Sequence, residues 1–290
     1  MTKVHHVDAF SAEGKGGNPA GVVLHADGLS TEQMQAIAAA MGLSETAFVL
    51  SHTTADRGVR FFTPTAEVGL CGHATIASWH LLMEHHHVEP GAYTMWTQSG
   101  TQTIHCEADG RVAMSQNRPQ FGPVLDPEPV AKSLGVDVAQ LVDSARIPVQ
   151  VASTGLHKIF APFQSLESLM AIQPDLDAIE VLSRSVGAIG VYCYTLDSQH
   201  GGIAQCRNFA PVVGIKEDSA TGTSAAATGC LLFHHGVVDA TQAGDLVFEQ
   251  GYALGQPSEI QVRLEVEDQT VERVWVAGRA TTRGIREIET

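Results

Sequence analysis

Cysteine is scarce: Cys71, Cys106, Cys193, Cys206 and Cys230 make an odd count with no C-x-x-C pair. That argues against a disulfide framework and a cysteine zinc site, and it fits a reducing, cytoplasmic setting. No apolar run approaches the roughly 18 residues of a membrane helix, so no membrane partner is expected. The opening stretch, Met1 to Phe10, lacks the apolar segment and small-residue cleavage site of a secretory leader and reads as a first strand. Positive charge is also short. The 17 Lys and Arg face 32 Asp and Glu, for a net charge of −15, and the cations are scattered singly. A phosphate backbone repels such a chain, so nucleic acid is not an expected partner.

Several chemical motifs are missing as well. Gly14-Lys15-Gly16-Gly17-Asn18-Pro19 lacks the G-K-[ST] ending of a phosphate loop and runs into a strand-like Gly21-Val22-Val23-Leu24. There is no G-x-S-x-G elbow. His85-His86-His87 and His234-His235 follow Leu-rich helical stretches, where cations suit the C-terminal end. Adjacent histidines on a helix diverge and no H-x-x-x-H spacing occurs, so no metal is expected there.

What is present is a repeat. Arg60-Phe61-Phe62-Thr63-Pro64 and Arg207-Asn208-Phe209-Ala210-Pro211 share the form R-x-F-x-P. Glu67, Gly72, Leu81 and Leu82 each recur 150 positions later, as Glu217, Gly222, Leu231 and Leu232. Each copy reads as a strand, a tight glycine turn, and a helix (Ala74 to Leu82, Ser224 to Leu232) whose small residues suit a deep core. The N-terminus of each helix would present unpaired N–H groups to a carboxylate or phosphate.

Around the repeat, Ser30 to Met41 reads as a helix with a Ser30/Gln33 capping box and a stop at Gly42. Ser44 to Leu50, Val112 to Ser115, Val186 to Leu196, Leu246 to Gly251, Ile260 to Val266 and Val271 to Val276 read as strands. Helices are expected to begin in Pro129 to Leu134 and Leu166 to Ile172. The proline-rich stretch from Arg118 to Pro129 reads as a linker between two similar halves. The expected division is 1–118, open to completion by 279–290, and 119–278.

Glu45 lies in the apolar run Leu43 to Leu50. A carboxylate there is either on a solvated strand edge or desolvated, the condition that suits an acid/base. His73, at a helix start, either caps its own helix or meets a substrate. Cys71 is either a small core residue or an activated thiol. Asp218 either caps the following turn or faces a site. Thr223 mirrors His73 across the repeat and suits a carboxylate.

These residues resemble the PhzF-like phenazine-biosynthesis family. The resemblance rests on Val7-Asp8-Ala9-Phe10, Gly17-Asn18-Pro19-Ala20-Gly21-Val22, Ser44-Glu45-Thr46-Ala47-Phe48, Arg60 to Pro64, Cys71-Gly72-His73-Ala74-Thr75 and Glu217-Asp218-x-Ala220-Thr221-Gly222, in order and over nearly the whole chain. It implies an α/β (α+β) fold of the diaminopimelate-epimerase-like kind, two similar halves each with a barrel-like sheet around a central helix. It further implies an active site in the cleft between halves, a homodimer and no cofactor. The implied activity is a proton shift on a small cyclic or unsaturated carboxylate, as in trans-2,3-dihydro-3-hydroxyanthranilate isomerase. Glu45 would be the acid/base, His73 and Asp218 would line the site, and Asn18, Gly72, Gly222 and Thr223 would bind substrate. The two-thiol epimerases of this fold carry a second cysteine where Thr221 stands, and threonine is a poor base. Ser219 stands where the family usually has proline and Thr223 where it has serine. An amino- or hydroxy-acid epimerase or dehydratase, and a non-catalytic small-acid binding protein, are the alternative readings.

Overall fold

The computed structural model describes residues 1–289. The chain divides into two compact units. One is Met1–Ser115 with the segment from Ala277 onward, and the other is Gln116–Val276.

In the first unit, β1 (Thr2–Ala9) pairs antiparallel with β2 (Asn18–Val23) on one side and with the closing strand, Ala280–Ile288, on the other. Helix α1 (Thr31–Met41) crosses over to β3 (Glu45–Leu50), which lies parallel to β2. Met34, Ile37 and Ala38 form the buried stripe of α1, at the period of an amphipathic helix. Both hydrogen bonds of the Ser30/Gln33 capping box form, and Gly42 ends the helix at φ 69°. Strand β3 then pairs antiparallel with β4 (Arg57–Phe62), which carries the short β5 (Glu67–Val68) and leads into α2 (Gly72–Glu84). A hairpin of β6 (Gly91–Thr97) and β7 (Gly100–Cys106) is extended by β8 (Val112–Gln116).

Strands β2 and β3 approach closely because of one glycine. A Cβ on Gly21 would stand 2.7 Å from Thr46 Oγ1. Helix α2 is almost wholly buried. Its hydroxyls are satisfied inside the helix, Thr75 donating to the Cys71 carbonyl at 2.7 Å and Ser78 to the Ala74 carbonyl at 2.7 Å. Polar side chains are thereby carried into the core without orphaned groups.

The second unit begins with β9 (Gln120–Val124) and α3 (Pro127–Ser133), so the proline-rich stretch is not a bare linker. Pro123 sits in a β-bulge, where β9 passes two residues against one on β10 (Gln150–Ser153) and loses no ladder donor. Pro127 stands in the first helical turn, where its missing N–H has no partner to lose, behind an Asp126 cap. The chain continues through β11 (Lys158–Phe163), α4 (Leu166–Met170), α5 (Leu176–Ser185), β12 (Val191–Thr195) and β13 (Ala204–Ala210). It closes with β14 (Ile215–Asp218), α6 (Gly222–His234), β15 (Leu246–Gln250), β16 (Ser258–Glu267) and β17 (Thr270–Gly278). Strand β11 is parallel to β12, β12 antiparallel to β13, and β13 antiparallel to β14 and parallel to β15. The helices α3, α4 and α5 cover a core that includes Val130, Leu134, Ile159, Leu169, Ile179 and Phe209.

The repeat read in the sequence is a repeat of structure. Each unit runs strand, short strand, glycine turn and a 13-residue buried helix, β4–β5–α2 and β13–β14–α6. The recurring glutamates have a shared job. Arg60 forks onto Glu67 with two contacts of 2.7 Å, and Arg207 onto Glu217 with two of 2.9 Å. Each guanidinium also lies 5.1 Å above the ring of the phenylalanine two residues on, Phe62 or Phe209.

The histidine runs end the two helices. His85 and His235 are the C-terminal caps of α2 and α6, and His235 Nε2 contacts Gln150 Oε1 at 2.9 Å. Among the described residues, no helix is long and apolar enough to cross a membrane.

Candidate active site

Three residues that the sequence singled out meet in the first unit. Glu45 opens β3, opposite Ala20 of β2. It is at a strand end rather than mid-strand, and its side chain is 19% exposed. His73 is the second residue of α2, and its Nε2 lies 3.3 Å from Glu45 Oε2 and 3.4 Å from Ser44 Oγ. Cys71 is the helix cap, buried, with its Sγ 3.4 Å from His73 Nδ1. A cysteine, an imidazole and a carboxylate thus cluster, with a donor atom of each within 4.8 Å of the others, and the helix start places the first two.

Glu45 Oε2 is enclosed by protein, and its contact with the imidazole lacks hydrogen-bond geometry. The same three side chains form the set, among the described residues, that offers metal-ligand atoms within 4.8 Å of one another. Asn18, the other first-unit candidate, is buried at the start of β2, two residues before the one facing Glu45. Strand alternation puts Asn18 and Ala20 on one sheet face.

Neither side chain capping the two buried helices accepts a helix N–H. In α2, the first helix-bonded N–H of the turn is Thr75, to the Cys71 carbonyl at 3.0 Å, so the amides of Gly72, His73 and Ala74 precede the ladder. In α6 the corresponding bond runs from Ala225 to the Thr221 carbonyl at 3.0 Å, after Gly222, Thr223 and Ser224. Both helix starts are of the kind that receives an anion.

In the second unit, Asp218 ends β14 and accepts the Thr221 hydroxyl on Oδ2. It meets the turn through a side chain and leaves the cap position of α6 to Thr221. Thr223 is the second residue of α6, and its carbonyl accepts from Thr154 Oγ1 at 2.9 Å. Sequence reasoning passed over the residues beneath this turn. Asn208, the second letter of the R-x-F-x-P motif, donates to Thr221 Oγ1 at 2.7 Å. Gln250 donates to the same oxygen at 3.1 Å and to the Asp218 carbonyl at 2.8 Å. Lys158, fully buried, donates to Asn208 Oδ1. The available signal was a lone lysine opening the apolar run Lys158-Ile159-Phe160-Ala161.

Two copies of one strand–turn–helix unit, with a carboxylate beside each turn, define a duplicated α/β protein of the diaminopimelate-epimerase-like class. The chain belongs to the phenazine biosynthesis-like protein family, whose profile matches residues 7–284. An uncharacterized isomerase of Escherichia coli K12, YddE, is 35% identical over 96% of this chain and 95% of its own length. The trans-2,3-dihydro-3-hydroxyanthranilate isomerase of Pseudomonas chlororaphis is 30% identical over 97% of this chain and 98% of its own. A crystal structure of a Bacillus anthracis phenazine biosynthesis protein of the PhzF family superposes with a TM-score of 0.89 at 29% identity, covering 100% of this chain and 99% of that one.

Proposed function

We propose that this protein is a cofactor-independent isomerase that moves a proton on a small cyclic or unsaturated carboxylate, with Glu45 as the acid/base. The observation that carries the reading is the Glu45 carboxylate held 3.3 Å from His73 Nε2, with Oε2 enclosed and without a well-formed hydrogen bond. An oxygen in that state accepts a proton from a C–H bond and returns it to another carbon without a strong partner to give up. The substrate carboxylate is held by the amides that precede the α2 ladder, those of Gly72, His73 and Ala74, with Asn18 beside it. Those amides stabilise the negative charge that builds as the C–H proton leaves. His73 orients Glu45, and Asp218, beside the turn before α6, is a further site residue.

The dihydro-hydroxyanthranilate on which the Pseudomonas relative is named is the first substrate to try. The purified protein should isomerise it in D2O with deuterium entering the product. Glu45→Gln keeps the shape but cannot shuttle a proton, so turnover should fall about a hundredfold to ten-thousandfold. Turnover should survive exhaustive chelation, a real test given the Glu45–Cys71–His73 set. A Gln variant that keeps near-native turnover would falsify the assignment of Glu45. Activity lost to a chelator and restored by a divalent ion would replace the cofactor-free reading with a metal-assisted one.

A further inference from the structure

Beneath the second turn the hydrogen bonds form a closed logic. An ammonium can only donate, so the Asn208 atom facing Lys158 Nζ is the carbonyl Oδ1, and its amide Nδ2 is left to donate to Thr221 Oγ1. Gln250 is oriented in the same way. Its Oε1 accepts the Tyr192 hydroxyl at 3.0 Å and the Thr221 N–H at 3.3 Å, which turns Nε2 toward Thr221 Oγ1. The threonine oxygen therefore receives two N–H donors, and both of its lone pairs are used. Its single proton has one place to go, Asp218 Oδ2.

The supports are rigid. Lys158 is 3% exposed, Asn208 1%, Gln250 0% and Tyr192 0%. Asn208 faces Asp218 directly across the β13–β14 ladder. Gly251, at φ 82°, holds Gln250 close to the turn, since a Cβ there would lie 2.7 Å from the Ser219 carbonyl and 2.1 Å from that of Gln256.

We propose that Lys158 is a positioning residue: through Asn208 and Thr221 it fixes Asp218 as a hydrogen-bond acceptor in one rotamer, and so aligns that carboxylate for catalysis. The proposal rests on the reading of Asp218 as a site residue. It also gives Thr221 a purpose. This threonine stands where the two-thiol epimerases carry a base, and here its hydroxyl serves the neighbouring carboxylate. Burying a lysine without a directly bonded carboxylate is costly, and a well-packed apolar side chain would serve stability as well or better. Its retention calls for a role other than stability. Burial pushes the Lys158 ammonium down to about 8, while the nearby Asp218 carboxylate pulls it back up.

The test compares Lys158→Met, Thr221→Val and Thr221→Ser with Glu45→Gln as control. In Lys158→Met, kcat should fall about tenfold to a hundredfold with KM held within about threefold, the signature of a misplaced group rather than a lost binding contact. Thr221→Val should behave likewise, and Thr221→Ser, which keeps the hydroxyl, should recover most of the rate. In an Asp218→Asn background, Lys158→Met should add less than about a twofold loss, since the two then act as one unit. Unchanged kcat in Lys158→Met and Thr221→Val, beside an inactive Glu45→Gln, would overturn this proposal while leaving the isomerase reading standing. An active Glu45→Gln would instead strike the isomerase reading. A crystal structure of Lys158→Met decides the positioning role without any substrate. Displacement of Asp218 Oδ2 from Thr221 Oγ1 supports the proposal, and an undisturbed pair overturns it.

Discussion

Lys158 lets a single residue be tested through stability alone. Burial lowers its ammonium from 10.5 to about 8. Between those values the unfolded chain binds a proton that the folded chain has released, so stability rises as pH climbs through about 8 and levels off above 10.5. Below about 8 the folded protein carries the whole cost of the buried charge. Lys158→Met has no such dependence. Whatever the difference in Tm between native protein and variant at pH 7, it should shift in favour of the native protein by pH 10. A difference that stays constant with pH would show that another group is responsible. The role of Lys158 was not legible from its apolar run alone, because it depends on partners 50 and more residues away, Asn208 and, through it, Thr221. Glu45, His73, Cys71 and Asp218 were legible because their residue types sit at unusual places: a carboxylate in an apolar run, and two reactive side chains at a glycine turn. Their contacts were not, since a distance such as the 3.3 Å from His73 to Glu45 is set by the fold of β3 against α2.

At the scale of the element, the two Arg–Glu forks act as pins that hold each short strand to its long neighbour ahead of the glycine turn. They are not equivalent. Arg207 and Glu217 are 9% and 15% exposed, against 20% and 18% for Arg60 and Glu67. Arg207 also donates to the carbonyls of Leu169 and Ile172, at 3.3 and 3.1 Å, tying α4 to β13. Removing one partner of a buried pair leaves the other uncompensated, so Arg207→Ala should cost about 3–5 kcal/mol in denaturant unfolding. Arg60→Ala should cost less, about 1–2 kcal/mol, because Arg60 is more exposed and its remaining bond runs to the exposed Thr31 hydroxyl instead of two buried carbonyls. Equal losses would contradict this ranking. Helix α1 was legible down to its caps, because capping box, apolar period and Gly42 are all local signals. The prolines from Pro119 to Pro129 misled for an equally local reason. Composition marks a proline as a breaker, but a bulge and a first helical turn are the places that accept one, and only the pairing partner β10 reveals the bulge. Helix α5 carried comparable local signals that the sequence reading passed over, an Asp175 cap on the Ala178 N–H and Gly187 beyond its end at φ 68°.

At the scale of the whole molecule, the repeat was readable as identities at one offset, and the structure supplies its physical content in two like strand–turn–helix units. The expected division left the first half open to completion by 279–290, and the strand register that joins early and late residues comes from the structure. Strand β1 runs against the closing strand over its whole length, from Thr2 opposite Ile288 to Ala9 opposite Ala280. Val4 and Ile288 share one apolar cluster with Met34, Phe48 and Phe62. Phe10, in a left-handed conformation at φ 60°, packs where Gly278 has no side chain, and a Cβ there would stand 2.4 Å from the ring. On the ribosome, therefore, β1 must wait for the closing strand. The second unit has all its strands translated while β1 still exposes an unpaired edge, a template for aggregation until the closing strand emerges. A chain stopped after Gly278 should keep a cooperative unfolding transition for its second unit, lose that of its first, and associate as concentration rises, which light scattering would detect. If that shortened chain stayed monomeric with both units protected from hydrogen exchange, the order of assembly would not depend on its final strand.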